Sequence, residues 1–424
     1  MTSKRIECDL MVVGTGMAGV AAAAYASARG LSVAQTGMAT SIMFAAGCFD
    51  LLGVHPVAEG CVHDDPFAAL AALRQDQPDH PYSKLTDKGI HEAFDEFVAF
   101  TREAGLGVHM RPGKNMHFPT PLGTMKTTYC VPDVMIEGVR AQEDKTSCAL
   151  VDVKGLKGYS SQQIAAVLGD QLNVVGTGQV VFPEMENLAE VYPMQMAMAL
   201  ENPRVRAMFI ERLRQVVGDA EVVGLPAILG LYSASEVMDD ISAQLGVKLF
   251  EIPTMPPGIS GLRLKEAYEA ALTKRGVKRL NQKQVSKAEL VDGGFRFEVG
   301  AQWTQYEIYA KGCMLASGRF LGKGLQTERT RVVESVFGLP VAQPESRDEW
   351  HGKKFLDAKG HALNTVGLET DDDFRPLGAH GSVVADNLFA VGSILAHQDW
   401  MRQKCGSGLA ITTAHKAVKA FMKK

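Results

Sequence analysis

Residues 9–35, with the sequence DLMVVGTGMAGVAAAAYASARGLSVAQ, decide the fold of this chain. Asp9–Val13 is a short apolar run of the kind that lies buried in a parallel sheet. The glycine-rich stretch Gly14–Gly19 follows at once, the alanine-rich stretch Val20–Arg29 is typical of a helix, and Leu31–Gln35 is typical of a second strand. The order strand, glycine turn, helix, strand predicts a βαβ unit within about 30 residues.

The glycine spacing in this turn is that of the dinucleotide-binding fingerprint, in the context that the fingerprint requires. The first glycine allows a tight turn, the second lets a pyrophosphate approach the backbone, and the third allows close packing of helix on strand. The positive end of the helix dipole then faces the phosphate. We therefore expect a nucleotide or flavin to be bound by Gly14, Gly16, Met17, Ala18 and Gly19. The alternative is that the three glycines only pack a tight turn.

The acid that usually binds a ribose is missing from the end of the second strand. Where Asp or Glu would accept two hydroxyl hydrogen bonds, this chain has Gln35-Thr36. Both residues are expected at the cofactor, but Gln35 carries no charge. The departure weakens the case for an ordinary adenine dinucleotide.

The composition excludes several classes of protein. The chain has 424 residues, which predicts two or three domains, and its formal charge of −4 offers no basic excess for a nucleic-acid backbone. Its seven cysteines show no C-x-x-C spacing, so we expect neither a disulfide framework nor an iron–sulfur cassette. We expect no metal site. No apolar run is long enough for a direct membrane span, and two acids within residues 6–10 argue against a signal peptide. We expect a reduced, soluble, cytoplasmic protein.

Two later segments favour a flavin over NAD. Ala310–Gly318 is typical of a strand that ends in a small-residue turn, like the second flavin-contact strand of two-dinucleotide-fold flavoproteins. Leu388–Ser393 and Cys405–Ala410 look like the closing motif of such proteins, in which a helix dipole stabilises the negative charge of reduced flavin. The expected cofactor contacts here are Ala316, Ser317, Gly318, Gly392, Gly406, Ser407, Gly408 and Leu409. The alternative is a merely structural helix start.

Elements of one parallel-sheet domain thus stand at both ends of the chain, with a differently composed middle. The predicted fold class is α/β: a Rossmann-like FAD/NAD(P)-binding domain with a central parallel sheet, interrupted by an α+β substrate or cap domain. The flavin-binding domain is expected to comprise residues 1–60, 255–335 and 381–424. Residues 61–254 and 336–380 are expected to form the substrate or cap regions.

The segment SIMFAAGCFDLLG at residues 41–53 resembles the S-x-x-x-x-x-G-x-x-D-L-L segment of the family formed by the B subunit of anaerobic glycerol-3-phosphate dehydrogenase. The stretch 256–264 (PPGISGLRL), Lys154-Gly155 and Cys405–Gly408 are similar to that family too. The resemblance touches both ends and the middle of the chain. It adds Ser41 and Gly47 to the expected cofactor contacts.

The resemblance implies a flavoprotein subunit of the fumarate reductase/succinate dehydrogenase-like superfamily. Such a subunit would work with a larger flavin subunit and a membrane-anchoring iron–sulfur subunit, oxidise sn-glycerol 3-phosphate to dihydroxyacetone phosphate, and pass electrons towards menaquinone. It would attach peripherally to the inner face of the cell membrane through those partners. The resemblance implies FMN as the cofactor, whereas the pyrophosphate fingerprint implies FAD.

Flavin-dependent oxidation of an alcohol moves a hydride to the flavin while a base takes the hydroxyl proton. Histidine suits this role because imidazole titrates near neutral pH. His397 lies between the two closing segments and is the expected base, with Arg402 beside it as a ligand for phosphate or reduced flavin. The alternatives are a satisfied loop histidine and a surface arginine.

Further candidates have weaker claims. The fork-like guanidinium group suits phosphate, which makes anion-binding candidates of Arg263, Arg319 and Arg375, with His380. Lys154 and Lys157 are candidates for substrate contact, Asp50 for orienting the loop over the flavin or capping a helix, and Cys48 and Cys405 for packing.

Three functions fit these features. The first is the glycerol-3-phosphate dehydrogenase subunit, and the second is a stand-alone flavin-dependent reductase or dehydrogenase of another organic acid or ketone. The third is a non-catalytic assembly subunit that keeps the flavin fold. The sequence carries no cysteines with cluster-binding spacing, so a respiratory electron path would have to leave this polypeptide.

Overall fold

The computed structural model of the chain describes residues 3–38 and 41–423. The strands, in chain order, are β1 (Lys4–Val13), β2 (Val33–Gly37), β3 (Val108–Met110), β4 (Met116–Pro119), β5 (Met125–Thr128), β6 (Cys130–Pro132), β7 (Cys148–Val153), β8 (Val174–Val180), β9 (Val222–Pro226), β10 (Lys248–Ile252), β11 (Lys278–Asn281), β12 (Gln284–Val291), β13 (Gly294–Gly300), β14 (Thr304–Leu315), β15 (Leu325–Thr327), β16 (Val332–Glu334) and β17 (Leu388–Ala390). The helices are α1 (Met17–Ala28), α2 (Pro66–Asp76), α3 (Asp87–Glu103), α4 (Ile136–Asp144), α5 (Ser161–Leu168), α6 (Pro193–Leu200), α7 (Pro203–Arg214), α8 (Ala234–Leu245), α9 (Ile259–Lys274), α10 (Trp400–Gln403) and α11 (Gly406–Phe421).

The described residues divide into two compact units. The first unit comprises residues 3–38, 41, 49–105 and 268–423, and the second comprises residues 42–48 and 106–267. Residues 61–105 and 336–380, which the sequence division placed in the substrate or cap regions, lie in the first unit. The first of these segments carries α3, which packs on α1 and α11. Sequence composition did not reveal this packing because it depends on residues far apart in the chain.

The first unit is built on a seven-stranded sheet. Strands β11, β2, β1 and β14 are parallel neighbours in that order. The other edge of β14 pairs with antiparallel β13 near its start and with parallel β17 at its end, and β12 lies beyond β13. The predicted βαβ unit and central parallel sheet are confirmed, with β1 reaching back to Lys4 and β2 reaching forward to Gly37.

Small side chains let a helix pack closely on this sheet. The last four residues of β1, Leu10–Val13, are all buried, and so are the residues of α1 from Ala18 to Ala26. The alanines of α1 bring it against α11, where the Tyr25 ring meets the His415 ring edge-on at 5.0 Å. The Tyr25 hydroxyl donates to the Ala93 carbonyl of α3 at 2.6 Å, which satisfies the one polar atom of a buried side chain.

The second unit has its own core around a four-stranded parallel sheet in the order β10, β9, β7, β8. Every residue of β7 and β9 is buried, as expected of strands covered on both faces. Two short antiparallel pairs, β3 with β6 and β4 with β5, belong to the same unit. No helix within the described parts of the chain has both the length and the apolar character to cross a bilayer.

A buried ion pair lies inside the second unit. Arg263, an expected anion-binding residue, is 5% exposed and donates to both carboxylate oxygens of Glu251, at 2.5 and 2.9 Å. Two more of its N–H groups donate to the carbonyls of Gly230 and Leu229, and Glu251 also accepts from the Leu229 amide at 2.7 Å. The structure therefore gives Arg263 an internal role, because its guanidinium donors are directed to protein acceptors.

Replacing Arg263 by methionine should destabilise the protein strongly. The change leaves the Glu251 carboxylate buried without its counter-ion, so we expect a loss of about 3–5 kcal/mol, measured by thermal and urea unfolding. The exposed Arg204 of the same unit is the matched control, for which Arg204→Met should change stability by no more than about 0.5 kcal/mol. Equal stability of the two variants would contradict this account of the pair.

Candidate functional site

The carboxyl ends of four strands lie side by side at one end of the first unit's sheet. We call this end, where the strands lead into loops, the sheet edge. Val13 of β1 is in register with Thr36 of β2 and with Leu315 of β14, and Leu315 is in register with Ala390 of β17. All four strands are parallel, so the loops that follow them leave the sheet on the same side. In open α/β sheets this edge is where ligands bind.

The turn after β1 fits against the turn after β14 with no room for a side chain. Gly14 has φ +132°, and a Cβ added there would lie 2.1 Å from the Ala316 carbonyl oxygen. A Cβ at Gly19 would lie 2.1 Å from the Gly14 carbonyl oxygen, so α1 packs directly on the turn. The steric reasons expected for two of the fingerprint glycines are therefore present in the structure.

The carboxyl-terminal segments reach the same place. Gly392 has φ +76°, and a Cβ added there would lie 2.6 Å from the Ala18 Cβ and 3.7 Å from the Ala410 Cα. Its amide donates to the Thr413 hydroxyl at 2.9 Å. The start of α1, the turn after β17 and the first turns of α11 thus meet, although almost the whole chain separates α1 from the other two.

Neither α1 nor α11 is capped by a side chain at its amino end. Gly16 precedes α1 and Cys405 precedes α11, and neither helix has an acidic residue in its first turn. By contrast, Asp65 caps α2 and Thr86 caps α3 through side-chain oxygens. The first amides of a helix have no partner within it, so those amides at these two helix ends that no other part of the chain engages can bind anionic or electron-rich groups.

Gln35 and Thr36 are turned into the protein. The Gln35 side-chain amide donates to the Gly14 carbonyl at 3.0 Å, and the Thr36 hydroxyl donates to the carbonyls of Leu280 and Lys283. The strand continues to Gly37, so the residue at its end has no side chain. The contacts that the structure shows for Gln35 and Thr36 hold the glycine turn and the β2–β11 pair, while the Gln35 side-chain oxygen is buried with no hydrogen-bond partner among the described residues.

The segment after Ser41 divides between the units. A Cβ at Gly16 would lie 2.9 Å from the Ser41 hydroxyl, so Ser41 lies beside the fingerprint turn as expected. Gly47 belongs to the second unit, where it packs against Pro132 and Ser260. The structure therefore places Ser41 beside the glycine turn of the first unit and Gly47 in the second unit.

Main-chain contacts tie the loop at residues 49–53 to the start of α11. The Asp50 amide donates to the Ser407 hydroxyl at 2.6 Å, and the Gly408 amide donates to the Asp50 carbonyl at 2.7 Å. A Cβ at Gly408 would lie 2.4 Å from the Tyr82 hydroxyl, which donates to the Leu51 carbonyl at 2.7 Å. Asp50 thus orients this loop through its backbone.

A buried histidine supports the same region. His80 is fully buried, and its Nδ1 accepts from the Tyr82 amide at 3.1 Å while its Nε2 lies 3.2 Å from the Gln403 side-chain oxygen. This geometry selects the neutral tautomer with the proton on Nε2. Burial lowers the pKa of His80 to about 3. Sequence reasoning missed this residue because a single histidine in a proline-rich link carries no periodic signal.

Arg319, another expected anion-binding residue, organises the loops behind the site. Its guanidinium donates to the main-chain carbonyls of Asn364, Leu395 and Gln398. Burial lowers the pKa of Arg319 to about 10, still well above neutral, so the side chain stays charged. Its guanidinium thus links the segment at residues 395–398 to Asn364.

His397 and Arg402 both have acidic partners. His397 Nε2 lies 3.1 Å from Glu369 Oε1, and its backbone has φ +62°, a region that residues other than glycine adopt rarely. Arg402 donates to the Asp399 carboxylate at 3.0 Å. Sequence reasoning missed Glu369, since it stands 28 residues from His397 and no spacing rule connects them.

The remaining candidates are paired with carboxylates, exposed or buried. Arg375 pairs with the carboxylates of Asp371 and Asp386, while His380, Lys154 and Lys157 are exposed. Cys48 and Cys405 are buried as expected of packing residues, and burial raises the pKa of the Cys405 thiol.

A profile of the FAD-binding domain family matches residues 9–409. The chain belongs to this family. The match runs from the strand before the fingerprint to the first turn of α11, the same segments that meet at the sheet edge. The predicted flavin cofactor is confirmed, and FAD, not FMN, is the flavin that the family description names.

Curated relatives match the chain from end to end. The B subunit of anaerobic glycerol-3-phosphate dehydrogenase from Vibrio vulnificus (strain CMCP6) is 28% identical, and that from Vibrio cholerae serotype O1 (strain M66-2) is 29% identical, each over 98% of this chain and 96% of the relative. The protein of that name from Yersinia pestis bv. Antiqua (strain Antiqua) is 27% identical over 96% of both chains. The resemblance seen at residues 41–53 and 256–264 is thus confirmed, as is the expected class of flavin-dependent oxidoreductase.

Solved structures of a dehydrogenase and a reductase also align. 3-Ketosteroid delta1-dehydrogenase from Sterolibacterium denitrificans has a TM-score of 0.44 at 12% identity, covering 99% of this chain and 100% of that chain. E. coli quinol fumarate reductase has a TM-score of 0.43 at 10% identity, covering 99% and 71%. The family membership stands on the profile match and not on these alignments.

The residues at the sheet edge fit the flavin that the family implies. The backbone at Gly14 and Gly392 leaves no space for side chains, and two uncapped helix ends are present. The Ser317 hydroxyl, two residues beyond the end of β14, is buried and has no hydrogen-bond partner among the described residues. A buried hydroxyl without a protein partner beside a nucleotide-binding turn suits a bound polar group. Gly14, Ala18, Ser317 and Gly392 would hold the cofactor.

Adding one methyl group at Gly392 should disrupt this convergence. Ala at position 392 combines a left-handed φ with a contact of 2.6 Å to Ala18, so we expect Gly392→Ala to lower the unfolding temperature and the flavin content of the purified protein. Gly381 has the same φ of +76° and open space around it, so Gly381→Ala should cost only the backbone strain, about 1 kcal/mol, with full flavin content. Equal flavin content in both variants would argue against the packing described here.

The buried His80 should make the protein sensitive to acid. Its pKa in the folded state lies below the ordinary value near 6.5, so the unfolded state binds more protons as pH falls. Stability is then lost on acidification, by about 2 kcal/mol from this residue between pH 7 and pH 4.5. His80→Asn keeps an oxygen that can accept from the Tyr82 amide but does not titrate in this range. Chemical unfolding across this pH range should give a shallower dependence for His80→Asn and an unchanged one for the exposed-residue control His380→Asn.

Proposed function

We propose that this chain is a flavoprotein subunit of a respiratory dehydrogenase that oxidises sn-glycerol 3-phosphate to dihydroxyacetone phosphate. Electrons would pass through a partner iron–sulfur subunit to menaquinone. The enzyme would also contain a larger flavin subunit and would lie on the inner face of the cell membrane. The observation that carries the proposal is the likeness along 98% of the chain to proteins named as the B subunit of anaerobic glycerol-3-phosphate dehydrogenase. The sheet edge supports it because its glycines and helix ends form a cradle that fits FAD.

Bound FAD supplies the acceptor for the hydride that leaves the alcohol carbon. The proton of the hydroxyl group needs a base, and His397 is the residue that we propose for it. With Nε2–H donated to Glu369, the other ring nitrogen, Nδ1, is left with a lone pair that can accept the proton. Glu369 would then stabilise the imidazolium that forms, as the carboxylate of a catalytic triad does.

The backbone of His397 supports a role beyond packing. A left-handed φ on a residue other than glycine costs of order 1–3 kcal/mol and is retained where the surrounding structure imposes it. The His397 amide donates to the Thr365 carbonyl at 2.9 Å, and Arg319 binds the carbonyls of Leu395 and Gln398 on either side. Arg402, held by Asp399, is proposed as the nearby cation for phosphate or reduced flavin.

One set of observations favours the assembly subunit as a second candidate. The three guanidinium groups expected to bind phosphate, Arg263, Arg319 and Arg375, are engaged by protein carboxylates or carbonyls. In this alternative the partner chain would bind and oxidise the substrate, and this chain would hold flavin without reacting with it.

A reductive half-reaction separates the candidates. The purified chain should be yellow and release FAD on heating, and sn-glycerol 3-phosphate should bleach its flavin absorbance while other hydroxy acids do not. Bleaching only after the partner subunits are added would place the oxidation on a partner. A colourless folded protein that takes up no flavin would reject the proposal.

His397→Gln should slow flavin reduction by about 10²- to 10⁴-fold with flavin content unchanged, because it removes the proton acceptor. Glu369→Gln should give a smaller loss, since it weakens only the partner of the base. Stopped-flow measurement of flavin bleaching by sn-glycerol 3-phosphate reports both effects. The exposed-residue variant His380→Gln should keep the rate of the parent protein, and a His397→Gln variant that also kept it would remove His397 from the mechanism.

A further inference from the structure

The most exposed large apolar side chains that the structure describes are neighbours in one short loop. Phe355 is 88% exposed and Leu356 is 87% exposed, and they lie in the segment at residues 352–361, which we call the tip loop. Exposing two adjacent large hydrophobic side chains to water is unfavourable. A single exposed apolar residue needs no explanation, but an adjacent pair at the tip of a loop marks a contact surface.

The tip loop is closed by its own hydrogen bonds. The Gly352 amide donates to His361 Nδ1 at 3.0 Å, and His361 Nε2 donates to the Phe355 carbonyl at 3.0 Å. The Asp357 carboxylate accepts from the Lys359 amide, and its carbonyl accepts from the Gly360 amide. These bonds fold the loop back on itself and leave the Phe355 and Leu356 side chains directed into solvent.

Positive charge surrounds the apolar pair. Lys353 and Lys354 precede it, Lys359 follows it, and all three are exposed. None of them forms an ion pair with any residue in the part of the chain that the structure describes. The tip loop contains these three lysines and a single acid, Asp357, so its net charge is +2. The formal charge of the whole chain is −4.

We propose that the tip loop docks on a lipid bilayer with anionic headgroups, with Phe355 and Leu356 inserted among the headgroups and upper acyl chains. Apolar side chains flanked by lysines partition into this interfacial region, where the lysines bind lipid phosphates. Two protruding side chains are too little surface for a stable protein interface, which needs about 800 Å² from each partner. The charge and the small apolar tip therefore favour a membrane surface over a protein.

The base of the loop lies against α10. A Cβ added at Gly360 would be 3.0 Å from the Asp399 carboxylate and 3.4 Å from the Arg402 side chain. Met401 of the same helix is 59% exposed. Docking of the tip loop would bring the segment that carries His397 and Arg402 towards the membrane surface. The proposal does not depend on which substrate the protein oxidises.

Sedimentation of the flavin-loaded full chain with vesicles tests the proposal. We expect binding to vesicles that contain phosphatidylglycerol, weak binding to vesicles of phosphatidylcholine alone, and a decrease as salt is raised. Phe355→Ser combined with Leu356→Ser should reduce the partition coefficient at least tenfold. Lys354→Glu should reduce it about fivefold or more. The controls are Leu290→Ser, at a residue 55% exposed on β12, and Lys88→Glu, at an exposed lysine of α3, and neither should change it.

The depth of insertion gives a second measurement. Phe355→Trp should show a blue-shifted emission on binding phosphatidylglycerol vesicles and quenching by lipids brominated near the headgroup. Absence of binding to anionic vesicles, equal binding by the tip-loop variants, or an unshifted tryptophan would each overturn the proposal. Loss of binding to a partner protein by the tip-loop variants, with lipid binding intact, would also overturn it. Flavin content and bleaching by sn-glycerol 3-phosphate should be unchanged in all variants, which separates this test from that of the proposed function.

Discussion

The first unit depends on the exclusion of side chains where three chain segments meet. Strands β1, β14 and β17 end together, and the backbone of Gly14 lies against the Ala316 carbonyl so closely that even a methyl group has no space. Gly392 is packed in the same way against Ala18. Any side chain at these positions would clash with the neighbouring segment and push the loops apart. The parallel register of the strands places the segments, and the glycines allow them to touch.

Around this edge, buried polar groups hold the loops at fixed positions. Arg319 donates to three main-chain carbonyls, Tyr82 donates to the Leu51 carbonyl, and His80 connects the Tyr82 amide with Gln403. Tyr82 and His80 are fully buried and hydrogen-bonded, which makes the loss of either side chain costly. Hydrogen bonds between residues far apart in the chain thus connect these loops, although they contain no long helix or strand.

The proposed base lies where the backbone is least ordinary. His397 combines a left-handed backbone, a carboxylate partner in Glu369 and a position just beyond the turn that touches α1 and α11. The arginines that suggested phosphate binding have partners within the protein. Arg263, for example, forms an ion pair with Glu251 inside the second unit. A guanidinium group is as useful for joining carbonyls and carboxylates within a protein as for binding an anion, and composition cannot distinguish the two uses.

The sequence by itself determined the βαβ unit, the glycine turn, the return of the chain's end to the first domain and the resemblance to a flavoprotein family. These follow from local patterns: an apolar run, a glycine spacing and the alternation of strand and helix are each encoded in a few consecutive residues. The tertiary structure decided the inward direction of Gln35 and Thr36, the placement of Gly47 in the second unit, and the partnership of His397 with Glu369. These depend on side-chain direction and on contacts between residues far apart in the chain, which the packing of the whole fold fixes and which no local pattern contains.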